Sequence, residues 1–310
     1  MDPLQNAPDL APAVRSVVVM HRGRVVFEHY RQNVAADDLQ PLNSVTKSVV
    51  AILCGIALRE RVFASLGVTL GSLLPEACAP GLDHRVRHIT LKQLLTMTSG
   101  FEWDEREVDQ CLLSTCVELS MPGERLRFIL GRPVAHDPGT RFNYDSHAAH
   151  LLSVMLGRAT GCTLDQYARM KLFEPLGIEA FEWSTDEDGH AFAGRGLLLT
   201  SRAMAKLGQL MLDEGQLRGR ELVTRSFVLD ATRPQSAGGW PAEGARYGYL
   251  WWIGVHEFFA FGFGEQFIFV DPAGKVVAAV TSDSTPAPKH VREWLEKLVH
   301  SPLVCPQPPA

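Results

Sequence analysis

Strand-like segments at both ends of the chain, with helix-like segments between them, limit the fold of this sequence more than any other feature. Residues 16–20 and Arg24–Tyr30 flank a turn at residues 21–23, a pattern typical of a β-hairpin. Further strands are predicted at residues 247–255, 257–261, 266–270 and 276–282. We therefore expect one antiparallel sheet flanked by helices, formed by residues 1–43 and 246–310, with a mostly helical lobe at residues 44–245 inserted into it. This α/β plus α arrangement would place a functional site at the interface of the two lobes.

Helical patterns fill the middle of the chain. Residues 44–58 carry large aliphatic side chains at Val49, Val50, Ile52, Leu53 and Ile56 and no proline, which predicts a largely buried helix with Asn43 as its N-cap. Further helices are predicted at residues 91–97, 147–159, 164–173, 201–213 and 291–299. With 310 residues, the chain is long enough for one large mixed domain or for two lobes that enclose a cleft.

Composition and charge exclude several classes of partner. Thirty Lys and Arg residues against thirty-five Asp and Glu residues give a net charge of −5 without any basic run, so no nucleic-acid partner is expected. The longest uncharged apolar stretch, residues 49–58, is shorter than the ~20 residues that a membrane-spanning helix needs. No Lys or Arg precedes Arg15, unlike the basic start of a signal peptide. We therefore expect a cytoplasmic protein that does not bind membranes; its oligomeric state is left open.

Cysteines and histidines give little sign of a cofactor. Six cysteines without a CxxC pair are expected to be free and buried. His147 and His150 have helical spacing, but no carboxylate completes a zinc-binding pattern with them. Neither a metal ion nor another cofactor is predicted.

The residues with the clearest chemical potential are Ser44 and Lys47, in the sequence Ser-Val-Thr-Lys at the start of the first predicted helix. Their i,i+3 spacing places the hydroxyl and the amine on the same helix face. A serine becomes a nucleophile when a neighbouring base takes its proton, and burial together with the helix dipole would lower the pKa of Lys47 towards that role. The N–H of Ser44 at the helix start could also stabilise an oxyanion. Alternatively, Ser44 is an ordinary N-cap and Lys47 a solvated side chain.

Two other segments carry possible partners for this pair. With seventeen serines and seven lysines in the chain, about 0.4 Ser-x-x-Lys motifs are expected by chance. The motif alone therefore does not establish a catalytic site, and the rest of the sequence has to be considered. Tyr144 follows a tight turn and precedes a predicted helix, where its phenol could relay a proton; otherwise it is an ordinary half-buried tyrosine. Residues 260–266 contain two glycines within a strand pattern, which often marks the close approach of a ligand to the backbone.

Several motifs in a fixed order resemble a known family, the serine hydrolases of the class C β-lactamase and penicillin-binding protein type. The similarity extends over most of the chain and is greatest to family VIII carboxylesterases and 6-aminohexanoate-dimer (nylon-oligomer) hydrolases. Besides Ser44-x-x-Lys47, the matching segments are residues 89–100, the Pro138-Gly139-Thr140-x-Phe142-x-Tyr144 turn, residues 196–200 and Tyr247-Gly248-Tyr249-x-Trp251-Trp252. The resemblance implies an acyl-enzyme mechanism in which Ser44 attacks and Lys47 and Tyr144 shuttle protons.

Two departures from the family pattern bear on the substrate. Where the β-lactamase branch has Lys or His, then Thr, then Gly, this chain has Ala260, Phe261 and Gly262. A cation there would bind a substrate carboxylate, so β-lactams should bind poorly. Ser146 replaces the usual Asn or Asp two residues after the tyrosine.

The resemblance also implies which other residues form the site. The backbone N–H of Phe263 is the expected second oxyanion donor beside that of Ser44. Ser146, Gly262 and Trp252 are the expected substrate-binding residues.

The resulting expectation is a serine hydrolase that cleaves a small-molecule ester or amide, most readily as a carboxylesterase. Alternative functions are a β-lactamase or D,D-peptidase, an acyltransferase in a biosynthetic pathway, and a catalytically silent binding member of the family. The apolar residues near Ala260 favour uncharged, hydrophobic acyl groups.

Overall fold

A seven-stranded antiparallel sheet forms the centre of the protein, in the strand order β2-β1-β12-β11-β10-β9-β8. The computed structural model describes residues 13–106, 124–284, 290–302 and 304. The sheet strands are β1 (Val14–His21), β2 (Arg24–Tyr30), β8 (Arg246–Tyr247), β9 (Trp252–Ile253), β10 (Phe258–Gly262), β11 (Gln266–Asp271) and β12 (Val276–Ser282). Short strands form two smaller sheets: β3 (Gln40–Pro41), β4 (Glu182–Trp183), β5 (Leu197–Leu199), β6 (Gln216–Leu217) and β7 (Arg220–Glu221).

Strands from the two ends of the chain pair with each other in this sheet. Strand β1 lies between β2 and β12, with Val17 opposite His29 on one side and Val280 on the other. All seven residues of β12 are buried, as expected for a central strand covered on both faces. The expected fold class, an antiparallel sheet flanked by helices, is confirmed. The division into lobes at residues 43/44 and 245/246 stays a prediction.

The helices occupy the segments between the two strand regions and the end of the chain. They are α1 (Val45–Arg59), α2 (Leu70–Leu73), α3 (Leu91–Leu95), α4 (Glu124–Leu130), α5 (Ser146–Thr160), α6 (Leu164–Ala168), α7 (Glu174–Leu176), α8 (Ser201–Leu212), α9 (Arg225–Ala231) and α10 (Val291–Val299). Caps mark several starts: Thr200 accepts a hydrogen bond from the N–H of Ala203, and Asp145 accepts one from Ala148. The predicted helices at residues 91–97, 147–159, 201–213 and 291–299 agree with α3, α5, α8 and α10 within two residues at each end.

The two faces of the sheet are covered by different helices. Ile268 of β11 lies against Gly208 of α8, and the neighbouring Phe269 points to the other side, where it packs with Phe259. The guanidinium group of Arg292 on α10 lies 4.7 Å from the centre of the Phe259 ring. Helix α1 contacts β10 and β11. It therefore places its first turn near the end of β10.

Three local expectations are wrong. The predicted strand at residues 247–255 is two short strands, because the N–H groups of Tyr249 and Leu250 donate to Ala231 and Leu95 instead of to a neighbouring strand. The predicted helix at residues 164–173 is α6 followed by a π-helical turn, Arg169–Phe173. Among the cysteines expected to be buried, Cys78 is exposed and Cys162 is half-buried.

The expectations for the remaining cysteines and for membrane-spanning helices can be compared with the structure only within the described residues. Cys54 is buried, and Cys111, Cys116 and Cys305 lie outside the described residues. Among the helices described, none is both long and apolar enough to cross a membrane.

Candidate active site

Helix α1 presents Ser44 and Lys47 to each other at its first turn. Ser44 is the residue before the helix, with φ −70° and ψ −8°, and its side chain makes no capping hydrogen bond. Its hydroxyl instead accepts a hydrogen bond from Lys47, whose Nζ lies 2.8 Å from Ser44 Oγ. The i,i+3 spacing therefore brings the hydroxyl and the amine together, as the sequence predicts.

Lys47 is buried. Its side chain belongs to a helix whose residues 45–57 are all buried, and the residue is only 1% exposed. Nζ donates a second hydrogen bond to the carbonyl oxygen of Gly194 at 2.8 Å and lies 4.7 Å from the centre of the Tyr144 ring. The alternative of a solvated lysine is therefore excluded. A buried amine held against a serine hydroxyl is placed to act on its proton.

The residues directly before and after Tyr144 in the chain hold it in place. On one side, the N–H of Asn143 donates to Met97 and its side-chain amide donates to Trp103. On the other, Asp145 caps α5 and forms a buried ion pair with Arg132 at 2.8 Å. The alternative of an ordinary half-buried tyrosine fits less well, because Tyr144 is buried against the side-chain nitrogen of Lys47.

Aromatic rings surround Tyr144 away from Lys47. Trp252 stacks on it at 5.8 Å between ring centres, while Trp240 and Tyr247 meet it edge-on at 6.0 and 6.4 Å. Burial and the neighbouring Tyr144 raise the pKa of Tyr247 well above its ordinary value of 10. Trp252, an expected substrate-binding residue, is thus buried and packs against the Tyr144 ring.

The end of β10 touches the start of α1. A Cβ atom at Gly262 would lie 2.4 Å from the carbonyl oxygen of Leu42 and 3.1 Å from the N atom of Ser44, so only glycine permits this approach. Asn43 donates its side-chain amide to the carbonyl of Phe263 at 2.7 Å. The expected capping role of Asn43 is therefore wrong: its side chain joins the strand end to the helix start.

Phe263 and Ala260 occupy contrasting positions on this strand. The side chain of Phe263 is exposed, at 45%, and points into solvent rather than into a closed apolar pocket. Ala260 lies opposite Ile268 and is fully buried, on the same strand face as Gly262 and thus towards α1. The position where relatives of this type carry a cation holds only a methyl group.

Ser146 starts α5 two residues after Tyr144. Its N–H donates to Glu105 at 3.0 Å. Its Cβ and carbonyl oxygen lie within 3.1 Å of where a Cβ on Gly194 would be. Sequence reasoning missed Gly194 because a backbone carbonyl carries no residue signature, and it also missed Glu105. The glycine itself, close to a second glycine at position 196, was the available signal.

A cavity of about 320 Å³ opens beside Tyr144. Its walls combine aromatic residues with two acidic and two basic side chains: Trp103, Asp104, Glu105, Arg106, Arg141, Phe142, Asn143, Tyr144 and Trp240. The Arg106 guanidinium and the Asp104 carboxylate form an ion pair, with two contacts of 3.0 Å. The cavity is large enough for a small organic group next to the catalytic candidates.

Metal ligation has no support among the residues described. Nowhere in residues 13–106, 124–284, 290–302 and 304 do three His, Cys, Asp or Glu side chains gather as a metal-binding group. The arrangement of Ser44, Lys47 and Tyr144 suits nucleophilic chemistry.

Comparisons with known proteins find relatives over most of the chain. A family model described as Beta-lactamase matches residues 10–300. The chain is 25% identical over 296 residues to a 6-aminohexanoate-dimer hydrolase from Paenarthrobacter ureafaciens, covering 88% of this chain and 74% of that protein. It is 28% identical over 171 residues to a lovastatin esterase from Penicillium rubens, covering 50% of this chain and 42% of the esterase.

Solved structures share the fold. A Bacillus anthracis protein with the provisional name 6-aminohexanoate-dimer hydrolase superposes with a TM-score of 0.82 at 21% identity, covering 96% of this chain and 82% of that one. EstCE1, described as a hydrolase with promiscuous acyltransferase activity, superposes with a TM-score of 0.73 at 15% identity, covering 96% and 97% of the two chains.

His147, beside the site, makes the free energy of unfolding depend on pH. It packs edge-on against Trp103 at 4.5 Å, and burial, aided by Arg132, lowers its pKa from 6.5 to about 3. Between those two pH values the unfolded chain binds a proton that the folded chain does not, so stability falls as pH falls from 6.5. At pH 5.5 this proton accounts for a loss of about 1.4 kcal/mol relative to pH 7.5.

We predict that His147→Gln reduces that loss by about 1.4 kcal/mol, measured by urea unfolding at pH 7.5 and 5.5. His84→Gln, which removes an imidazole with 80% side-chain exposure, is the control and should keep the wild-type difference. An unchanged pH difference in His147→Gln would contradict this role of burial.

Proposed function

The chain belongs to the β-lactamase family and is a serine hydrolase, and we propose that it is a carboxylesterase that acts through an acyl intermediate on Ser44. One observation carries the proposal: the Nζ atom of the buried Lys47 lies 2.8 Å from Ser44 Oγ. A hydroxyl in that position can lose its proton as it attacks a carbonyl carbon.

The proposed reaction has two halves. In the first, Ser44 Oγ bonds to the ester carbonyl carbon while its proton passes to the neutral amine of Lys47. The tetrahedral intermediate then expels the alcohol, which takes a proton relayed from Lys47 through the Tyr144 phenol. In the second half, water attacks the acyl-Ser44 ester, its proton passes to the same base, and the carboxylic acid leaves as Ser44 regains its proton.

Two backbone N–H groups are the proposed oxyanion donors, those of Ser44 and Phe263. Ser44 directly precedes α1, where the N–H groups have no partner within the helix and the helix dipole favours negative charge. Phe263 is held next to Ser44 by the amide of Asn43 and by the close approach of Gly262. Fixed donors of this kind stabilise charge that develops in the transition state.

The surroundings of the site favour an uncharged ester. Ala260 offers no cation for a carboxylate. Aromatic side chains such as Phe142 and Trp240 line the neighbouring cavity, and its two arginines already have partners: Arg106 pairs with Asp104, and Arg141 Nη1 lies 2.9 Å from His136 Nε2. The relatives include a lovastatin esterase and a 6-aminohexanoate-dimer hydrolase, which act on an ester and an amide respectively.

We predict that a fluorophosphonate labels Ser44, located by mass spectrometry of the digested protein. Lys47→Met and Tyr144→Phe should slow labelling at least about 100-fold, because each removes a group that moves the proton of Ser44. Tyr167→Phe is the matched control: it removes a phenol that donates to Glu60 at the far end of α1 and should label at the wild-type rate. Labelling of another serine, or none in folded protein, overturns the proposed function.

A second prediction concerns the charge of the substrate. Of two 4-nitrophenyl esters with acyl chains of equal length, the one ending in a methyl group should have a kcat/KM about 10- to 100-fold above the one ending in a carboxylate. A chromogenic cephalosporin should also be turned over far more slowly than the neutral ester. Preference for the carboxylate ester, or cephalosporin turnover at the rate of the neutral ester, would favour the β-lactamase or peptidase alternative.

A further inference from the structure

The carbonyl group that binds Lys47 belongs to a loop, residues 184–196. Backbone hydrogen bonds fold this loop back on itself: Ser184 donates to Gly196 and Phe192 donates to Ser184, each at 3.0 Å. The loop brings Gly194 over the start of α5, and its carbonyl oxygen then accepts a hydrogen bond from Lys47 Nζ. The position of the loop on α5 therefore sets the position of an acceptor for the catalytic amine.

Two contacts hold the loop against α5. Gly194 lies so close to Ser146 that a Cβ atom there would be 2.9 Å from the Ser146 carbonyl oxygen. One residue earlier, the N–H of Ala193 donates to Nδ1 of His150 at 3.4 Å. The same helix that begins beside Tyr144 thus also holds the backbone that binds Lys47.

His150 is itself held by a carboxylate. Its Nε2 lies 2.9 Å from Asp186 Oδ2, and both side chains are almost fully buried, at 4% and 2% exposure. The other carboxylate oxygen, Oδ1, accepts the N–H groups of Asp188 and His190 at 3.0 and 2.8 Å. Because Nδ1 accepts from Ala193, the proton of the neutral ring is on Nε2 and is donated to Asp186.

Burial keeps this imidazole in the form that the contacts require. Desolvation lowers the pKa of His150 below its ordinary value of 6.5, against the opposing effect of Asp186. Arg125 and His190 also lower it, while Phe192 packs on the ring at 5.3 Å. In the doubly protonated ring, Nδ1 would carry a hydrogen towards the N–H of Ala193, and the contact would be lost.

We propose that His150 and Asp186 are positioning residues for the reaction. They fix the Ala193–Gly194 backbone so that the Gly194 carbonyl orients the amine of Lys47 towards Ser44. This proposal rests on the proposed function, since it assumes that Lys47 acts on the proton of Ser44. Neither residue touches substrate; each acts through the backbone of the loop.

Asp186→Asn tests the proposal with little change in shape. The single amide oxygen is needed by the N–H groups of Asp188 and His190, so the amide nitrogen faces His150 Nε2. The ring then accepts at Nε2 and carries its proton on Nδ1, opposite the N–H of Ala193. We expect kcat for a neutral ester to fall about 10- to 100-fold, with KM within about two-fold of wild type.

Asp271→Asn is the matched control. Asp271 is also buried and accepts the N–H groups of Ala273 and Gly274, at 3.0 and 3.1 Å, but it lies at the far end of β11 from the Gly262 turn. This variant should keep the wild-type kcat, whatever its loss of stability. Equal losses of kcat in the two variants, or wild-type kcat in Asp186→Asn, would overturn the proposal.

Rescue by a conservative variant separates positioning from packing. In His150→Asn, the side-chain oxygen can take the place of Nδ1 and accept from Ala193, whereas His150→Leu offers no acceptor. We expect His150→Asn to keep at least about five-fold more kcat than His150→Leu. Equal kcat in these two variants would assign His150 to packing alone.

Hydrogen exchange distinguishes failure of this proposal from failure of the proposed function. The Ala193 amide should be protected in the wild-type protein and exchange faster in Asp186→Asn, irrespective of any catalysis. Equal protection in both overturns the positioning role even if Ser44 is labelled by a fluorophosphonate. Lack of labelling at Ser44 in the wild-type protein, with the protection changed as expected, overturns the function and leaves the loop contact established.

Discussion

The burial of Lys47 is the interaction on which the site depends. Removing an amine from water costs several kcal/mol if it is charged, so its place on the buried face of a helix requires polar atoms around it. The hydroxyl of Ser44 and the carbonyl of Gly194 supply these at 2.8 Å each, and the Tyr144 ring lies against the same nitrogen. The start of α1, the backbone of Gly194 and the ring of Tyr144, which are distant in sequence, are thereby held together around the Lys47 nitrogen.

The seven-stranded sheet also holds the start of α1 in place. Both ends of the chain meet in neighbouring strands β1 and β12, and β10 continues that sheet to the first turn of α1. Gly262 lets the strand touch the helix start, and Asn43 ties Phe263 to it. The proposed nucleophile and oxyanion donors are thus held by contacts between the start of a helix and the end of a strand.

Much of this arrangement is readable from sequence because it depends on local pattern. Ser44-x-x-Lys47 at a helix start, the turn before Tyr144 and the strand periodicity of residues 266–282 all act over a few residues. What the sequence did not reveal depends on long-range backbone contacts. Gly194 binds Lys47 through a carbonyl that any residue has, and residues 248–251 leave the sheet because of hydrogen bonds to Leu95 and Ala231. The side chain of Asn43 likewise serves a strand more than two hundred residues away rather than its own helix.

The central claim is that Ser44 carries the acyl group during turnover. Mixing the protein with excess 4-nitrophenyl butyrate, quenching in acid within the first turnovers and analysing the peptides by mass spectrometry tests it directly. The account predicts a butyryl group on the peptide that contains Ser44, formed at a rate no slower than kcat and absent in Ser44→Ala. Turnover of the ester with the acyl group on another residue, or with no acylated peptide and no initial burst of nitrophenol, would contradict it.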